Sequence, residues 1–137
     1  MIPLVPVSKW QPVSSQKLNV QDLAKYGDQL AVDQEFGVRA GVLREYRLGS
    51  LKAFAVFEEA TDPSSAYGLY TFYQNEGMRA EPGMQLVATN SREALMTRGR
   101  YFIRVLRPAS GAISEREFRD LLASVGGERL SASNVES

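Results

Sequence analysis

The chain has 137 residues, enough for one domain around one hydrophobic core and too few for a second. Sixteen basic and sixteen acidic residues cancel, which excludes a whole-molecule field for nucleic acid or anionic membrane. With no histidine and no cysteine, disulfides, thiolate nucleophiles, Ser-His-Asp and Cys-His arrangements and His- or Cys-ligated zinc are excluded; carboxylate chemistry, a perturbed Lys or Tyr and an oxygen-ligated cation survive.

Residues 1–18 carry three prolines, paired serines and the single tryptophan, Trp10, and read as an extended arm docked by that indole. The opening run from Met1 to Ser8 has no basic region or small-residue cleavage site, so it does not read as a signal peptide. The apolar spacing of Leu23, Tyr26 and Leu30, behind the N-cap candidate Asn19, predicts a helix over about 20–33, with Gly27 as the place where it could stop early. Residues 38–47 and 51–58, joined by the Leu48-Gly49-Ser50 turn, form the clearest hairpin. Thr61-Asp62-Pro63 starts a helix expected to run to about residue 76, before Gly77. Its apolar line is Ala66, Leu69, Tyr70 and Tyr73, and Gly68 within it suggests a close backbone approach.

After the Glu81-Pro82-Gly83 break, short strands are expected at about 84–90 and 93–97, then a strong strand from Arg100 to Arg107. Ser114-Glu115-Arg116-Glu117 is a complete capping box, so a helix begins at 115 and buries Phe118, Leu121, Leu122 and Val125. The expected organisation is an arm over 1–18, one domain over 19–127 and a polar tail over 128–137. The fold class is α+β: an antiparallel sheet of about four to six strands, with two or three helices packed mainly on one face. No apolar run reaches the roughly 20 residues of a transmembrane helix.

Three clusters compete for a function. Arg98, Arg100 and Arg104, with Arg92 and Arg107 nearby, offer an anion surface around Tyr101 and Phe102, or simply a solvated strand face paired with Glu45, Glu58 or Glu59. Tyr67, Tyr70 and Tyr73 could wall a pocket or an interface, although aromatics at helical spacing ordinarily pack into a core. Glu58, Glu59 and Asp62 are the one carboxylate group with a catalytic or metal-binding look. Adjacent strand residues face opposite ways, however, and Asp62 already has a cap to make. No catalytic residue, metal ligand or cofactor is therefore assigned. The leading expectation is a non-catalytic binding or protein-interaction domain. The alternative is a small-molecule-binding protein or small enzyme with a Tyr/Arg/Glu pocket between the middle helix and the sheet. The partner would be a small molecule or a protein rather than nucleic acid, and self-association through a sheet edge or the arm fits either case.

The segments Glu45-Tyr46, Phe54 to Glu59 and Thr61 to Tyr70, with Tyr26-Gly27, Glu35-Phe36-Gly37 and Arg98 to Tyr101, resemble bacterial domain-of-unknown-function family number 6599 across about 9–107. The chain departs from that family in its short length and in lacking a leading signal segment. The resemblance implies a bacterial protein exported to the periplasm or secreted, the alternative being cytoplasmic. It supplies no catalytic residues.

Overall fold

The computed structural model describes residues 10–74, 77–108 and 113–127. The first nine residues of the expected arm and the expected tail over 128–137 lie outside them. Seven antiparallel strands form one sheet in the order β1-β2-β3-β7-β6-β5-β4. They are β1 (Gln11–Asn19), β2 (Ala40–Leu48), β3 (Leu51–Glu59), β4 (Arg79–Ala80), β5 (Val87–Thr89), β6 (Glu93–Arg98) and β7 (Tyr101–Leu106). A 3₁₀ helix (Val20–Tyr26) and three α-helices, α1 (Leu30–Glu35), α2 (Pro63–Tyr73) and α3 (Glu115–Gly126), complete the α+β fold.

Both central hairpins turn on a two-residue Gly-X loop. Leu48 pairs with Leu51 around Gly49, and Arg98 with Tyr101 around Gly99; the glycines have φ of +61° and +56°. A positive φ at the first loop position matches the right-handed twist of the strands and is cheap only for glycine.

Strand alternation then sorts the side chains onto two faces. Val42, Tyr46, Ala55, Phe57, Ile103 and Val105 share one core with Phe118, Leu121, Leu122 and Val125 of α3. Val56, Leu95 and Phe102 share the other with Leu23 of the 3₁₀ helix and Ala66, Leu69 and Tyr70 of α2. Helices thus cover both faces rather than mainly one, because the inward residues of the central strands are apolar on both sides. Two buried faces require two covers.

The strand count exceeds four to six for a related reason. β1 is exposed along its length except at Leu18, so it shows no alternation and is a strand only through its backbone pairing with β2. The expected arm therefore becomes a sheet edge from Gln11 onward. Pro12, an irregularity between Pro12 and Ser14, and Lys17 are features that discourage further pairing at such an edge. β4 has only two residues, below what a sequence pattern can mark.

Local signals locate most helix ends. Asn19 and Asp22 form a reciprocal capping box, and Gly27, at φ +106°, stops the 3₁₀ helix there, so the expected helix over 20–33 is two short helices. Asp62 caps α2 through the Ser65 amide, but α2 ends at Tyr73, before Gly77, because Gln74 is extended. Ser114 and Glu117 form the capping box that starts α3. Trp10, 1% exposed, donates its indole N–H to the Glu117 carbonyl at 3.0 Å, tying the residue before β1 to α3.

Gly68 has the close neighbour its sequence context suggests: a Cβ there would stand 2.5 Å from Phe36 Cε1. Helix propensity alone favours Gly68→Ala by about 1 kcal/mol. We expect the opposite in the folded protein, a loss of about 1–3 kcal/mol from overpacking, read from urea unfolding. An unchanged or higher midpoint would show that Phe36 moves aside freely.

Candidate functional site

Charged groups on the inner faces of β3 and β7 meet one another under the 3₁₀ helix and α1. Glu58 lies opposite Phe102, and Arg104 lies opposite Val56, so the antiparallel register sets both charges diagonally on one face. The left-handed stop at Gly27 turns the chain and brings Asp28 down onto Arg104; a Cβ on Gly27 would press to 3.4 Å from Arg104 Nη1. α1 is amphipathic in reverse, with Leu30 exposed and Asp33 buried.

Arg104 is 3% exposed and donates through Nη2 to Asp28 Oδ1 and through Nη1 to Glu93 Oε1, both at 2.8 Å. Its guanidinium carbon sits 5.2 Å from the centre of the Tyr73 ring and 5.7 Å from that of Phe102. Tyr73 stacks on Phe102 and donates its hydroxyl proton to Asp33 Oδ1 at 2.7 Å, while accepting from the Gln29 amide at 2.9 Å. Asp33 and Glu58 are 0% exposed and Asp28 is 6% exposed, and one carboxylate oxygen from each lies within 4.8 Å of the others.

Three carboxylates and Glu93 thus face one guanidinium, more negative charge than a dry site can hold ionised. Burial, then the hydrogen bond and charge of Asp28, push the Asp33 carboxyl up to about 8. The same causes, burial first and then Asp28, hold Glu58 well above the ordinary carboxyl range. Neither Glu58 oxygen receives a hydrogen bond from an N–H or O–H group of the protein. Asp28 can bond to Glu58 only when one of the two carries a proton, so a shared proton is the metal-free solution. Burial opposes the charge on Arg104, but Glu93 and Asp28 together hold its pKa above the ordinary value. Burial also raises the Tyr73 phenol, against the Gln29 backbone bond, so the hydroxyl stays a donor. Chemically, this cluster can hold protons or a cation.

Of the residues singled out in the sequence, Glu58, Arg104 and Tyr73 come together here. Tyr70 packs under α2 at 6% exposure, while Tyr67 remains 49% exposed on the outer side. Arg98 donates to the Gln85 and Thr97 carbonyls, and Arg100 pairs with Glu59 at 3.5 Å across the hairpin end. Arg100 and Arg104 do not share a strand face, because Arg100 sits in the turn before β7. The space between α2 and the sheet is filled by Ala66, Leu69, Leu95 and Phe102, each 0% exposed. Glu58 leaves Glu59 and Asp62 for partners far away in the chain, Asp28 and Asp33, which sequence spacing did not associate with it. The available signal was an ionisable residue at an inward position on each of two strands, Glu58 after Val56 and Arg104 after Phe102.

A concave site of about 300 Å³ lies elsewhere, lined by Gly37 and residues 39–42, by Phe57 and residues 59–61, and by Arg100 and Tyr101. Its lining includes the basic residues Arg39 and Arg100, the acidic Glu59 and the apolar Val42 and Phe57. Asp62 lies within electrostatic range of Arg100, but its carboxylate caps α2 through the Ser65 amide. Among the described residues, no helix is long and apolar enough to cross a membrane. Comparison of the chain with family models, curated proteins and solved structures finds no match.

Asp33 binds its proton more tightly folded than unfolded, so the stability this brings is complete below pH 3.8 and drains away as pH rises to about 8. In EDTA-containing buffer the chain should therefore be more resistant to urea at pH 5 than at pH 8. Glu58→Gln, which supplies a permanent donor toward Asp28, should raise the pH 8 midpoint and flatten this difference. A stability that instead rises from pH 5 to pH 8 would mean that the carboxyls are ionised in the fold.

Proposed function

We propose that this chain is a non-catalytic binding domain that takes a small anionic ligand in the groove beside Arg39 and Arg100. The observation that carries this reading is that Arg39, just before β2, and Arg100, in the β6–β7 turn, line one concavity of about 300 Å³ together with the apolar residues Val42 and Phe57. Two cations against the single carboxylate of Glu59 leave the lining one charge positive. Its volume is at the lower end of small-molecule sites, which fits a compact carboxylate or phosphate with an apolar body. The non-catalytic part of the reading rests on the strongly shifted acids Asp33 and Glu58, which lie sealed at 0% exposure. A general acid or base must come within hydrogen-bond reach of its substrate. The resemblance to family number 6599 leaves activity open and adds to the same proposal a bacterial, periplasmic or secreted location.

A second reading, protein interaction through α2, is favoured by one observation: Tyr67 and Phe72 on that helix are each 49% exposed. Aromatics left half in water are the residues that anchor protein interfaces.

Titrating a ¹⁵N-labelled chain with benzoate in one arm and inorganic phosphate in the other tests the groove. At least one anion should shift the amides of Arg39, Thr61 and Tyr101, and the Arg39→Ala, Arg100→Ala double variant should bind it about tenfold or more weakly. If neither anion moves those amides, the groove is not an anion site. Shifts confined to α2 on adding a cell extract fraction would instead support the interaction reading.

A further inference from the structure

We propose that Asp28, Asp33 and Glu58 bind a divalent cation of the hard, oxygen-preferring class that includes Mn²⁺ and Ca²⁺, held between the sheet and the 28–33 segment. The argument begins with how the carboxylate oxygens divide their work. Asp28 commits Oδ1 to Arg104, and Asp33 commits Oδ1 to Tyr73. The other oxygen of each, and both oxygens of Glu58, are buried and have no N–H or hydroxyl donor among the described residues, so that only a proton shared between the carboxyls or a cation can answer them. A buried acceptor with no donor is costly, and native structures keep such atoms few. Here there are four such atoms, on three residues that are 6%, 0% and 0% exposed.

The bonds that are made have the arrangement of supports behind metal ligands. Arg104 and Tyr73 each fix one oxygen of an aspartate and leave its partner atom for a ligand, as the residues that orient metal-bound carboxylates do. Distances agree as well. Oxygens on opposite sides of a Ca²⁺ ion, with bonds of 2.3–2.6 Å, stand roughly 4.6–5.2 Å apart. One oxygen from each of the three carboxylates lies within 4.8 Å of the others, so all three can reach one centre.

Charge selects the same occupant. The three carboxylates and Glu93, set against the Arg104 guanidinium, sum to three negative charges, and one divalent cation cuts this to one; Glu93, the outermost member, pairs with Arg104 from its other side at 2.8 Å. A ligand set made only of oxygens, in a chain without histidine or cysteine, disfavours the softer metals. Mg²⁺ retains several waters, and residues this buried leave little room for them. Glu58 points away from the Arg39–Arg100 groove while its neighbour Glu59 lines it, so this inference stands apart from the anion reading and can fail without it.

The experiment uses the full chain, stripped with EDTA and dialysed, and titrates Mn²⁺ at pH 7.5 while following the EPR signal of the free ion. One Mn²⁺ should bind per chain, raise the melting temperature and be displaced by Ca²⁺. Glu58→Gln and Asp33→Asn should each weaken binding about tenfold or more, whereas Glu59→Gln, on the opposite face of the same strand, should leave it unchanged. A free-ion signal that persists at full amplitude in the unmodified chain overturns the proposal and leaves the cluster a store of protons. Undiminished binding by folded Glu58→Gln and Asp33→Asn chains overturns it too, because the ion then sits elsewhere. Should those variants not fold, paramagnetic broadening at low Mn²⁺ in the unmodified chain decides: broadening strongest at the Asp28, Asp33 and Glu58 amides upholds the site, and broadening centred elsewhere overturns it.

Discussion

Arg104 places a positive charge inside the layer between the sheet and its helices, and the architecture on that face is organised to answer it. A guanidinium 3% exposed needs its charge compensated, since the desolvation cost of an ion is several kcal/mol; both Nη groups of Arg104 are paired, while its Nε–H has no partner among the described residues. Asp28 meets it from 76 residues away in the chain and Glu93 from 11. The rings of Tyr73 and Phe102 cover its faces. One side chain thereby ties together the turn after the 3₁₀ helix, α2, β6 and β7. Removing Arg104 would leave its carboxylates uncompensated, and removing Asp28 or Glu93 would take a charged partner from it, so the group behaves as a unit rather than as separable ion pairs.

The two faces of the sheet have divided their roles. Beneath α3 the core is mainly apolar, from Trp10 and Tyr46 to Val125, with the buried Arg44 guanidinium 5.4 Å from the centre of the Phe57 ring and Arg107 3.9 Å from that of Phe118. On the opposite face an apolar core of Leu23, Val56, Leu69 and Phe102 borders the charged cluster. Packing gives that side cohesion, and the polar network gives it a single arrangement of short elements. α1 has six residues and no side-chain N-cap bond, and the Tyr73–Asp33 contact supplies a tether that its own length cannot.

Much of the fold was legible in residues a few positions apart. The glycine turns at 49 and 99, the caps at Asp62 and Ser114 and the stripe of α3 all depend on short-range geometry, and the structure places them where those residues indicate. β1 was not legible, because an edge strand exposed on both faces carries no alternation. The candidate site was half legible: Glu58, Arg104 and Tyr73 stood out, but their partners Asp28 and Asp33 looked like ordinary helix-region acids. Arg100 and Tyr67 stood out equally and turned out to be exposed, since a residue's type does not report its burial.

The amino-acid sequence by itself determined the chemistry this protein can attempt: without imidazole or thiol, its ligating and proton-holding groups are carboxylates, phenols, amines and guanidiniums. It also determined where most elements start and stop, because caps and turns are local hydrogen-bonding problems. Only the tertiary structure decided which acids would act together. The β3–β7 register set Glu58 and Arg104 on one face, and the turn at Gly27 lowered Asp28 and Asp33 onto them. Burial then changed what these residues are. In water they would be independent, ionised and unremarkable; sealed within hydrogen-bond reach of one another, they must share protons or a cation, because a low-dielectric interior does not tolerate like charges left uncompensated.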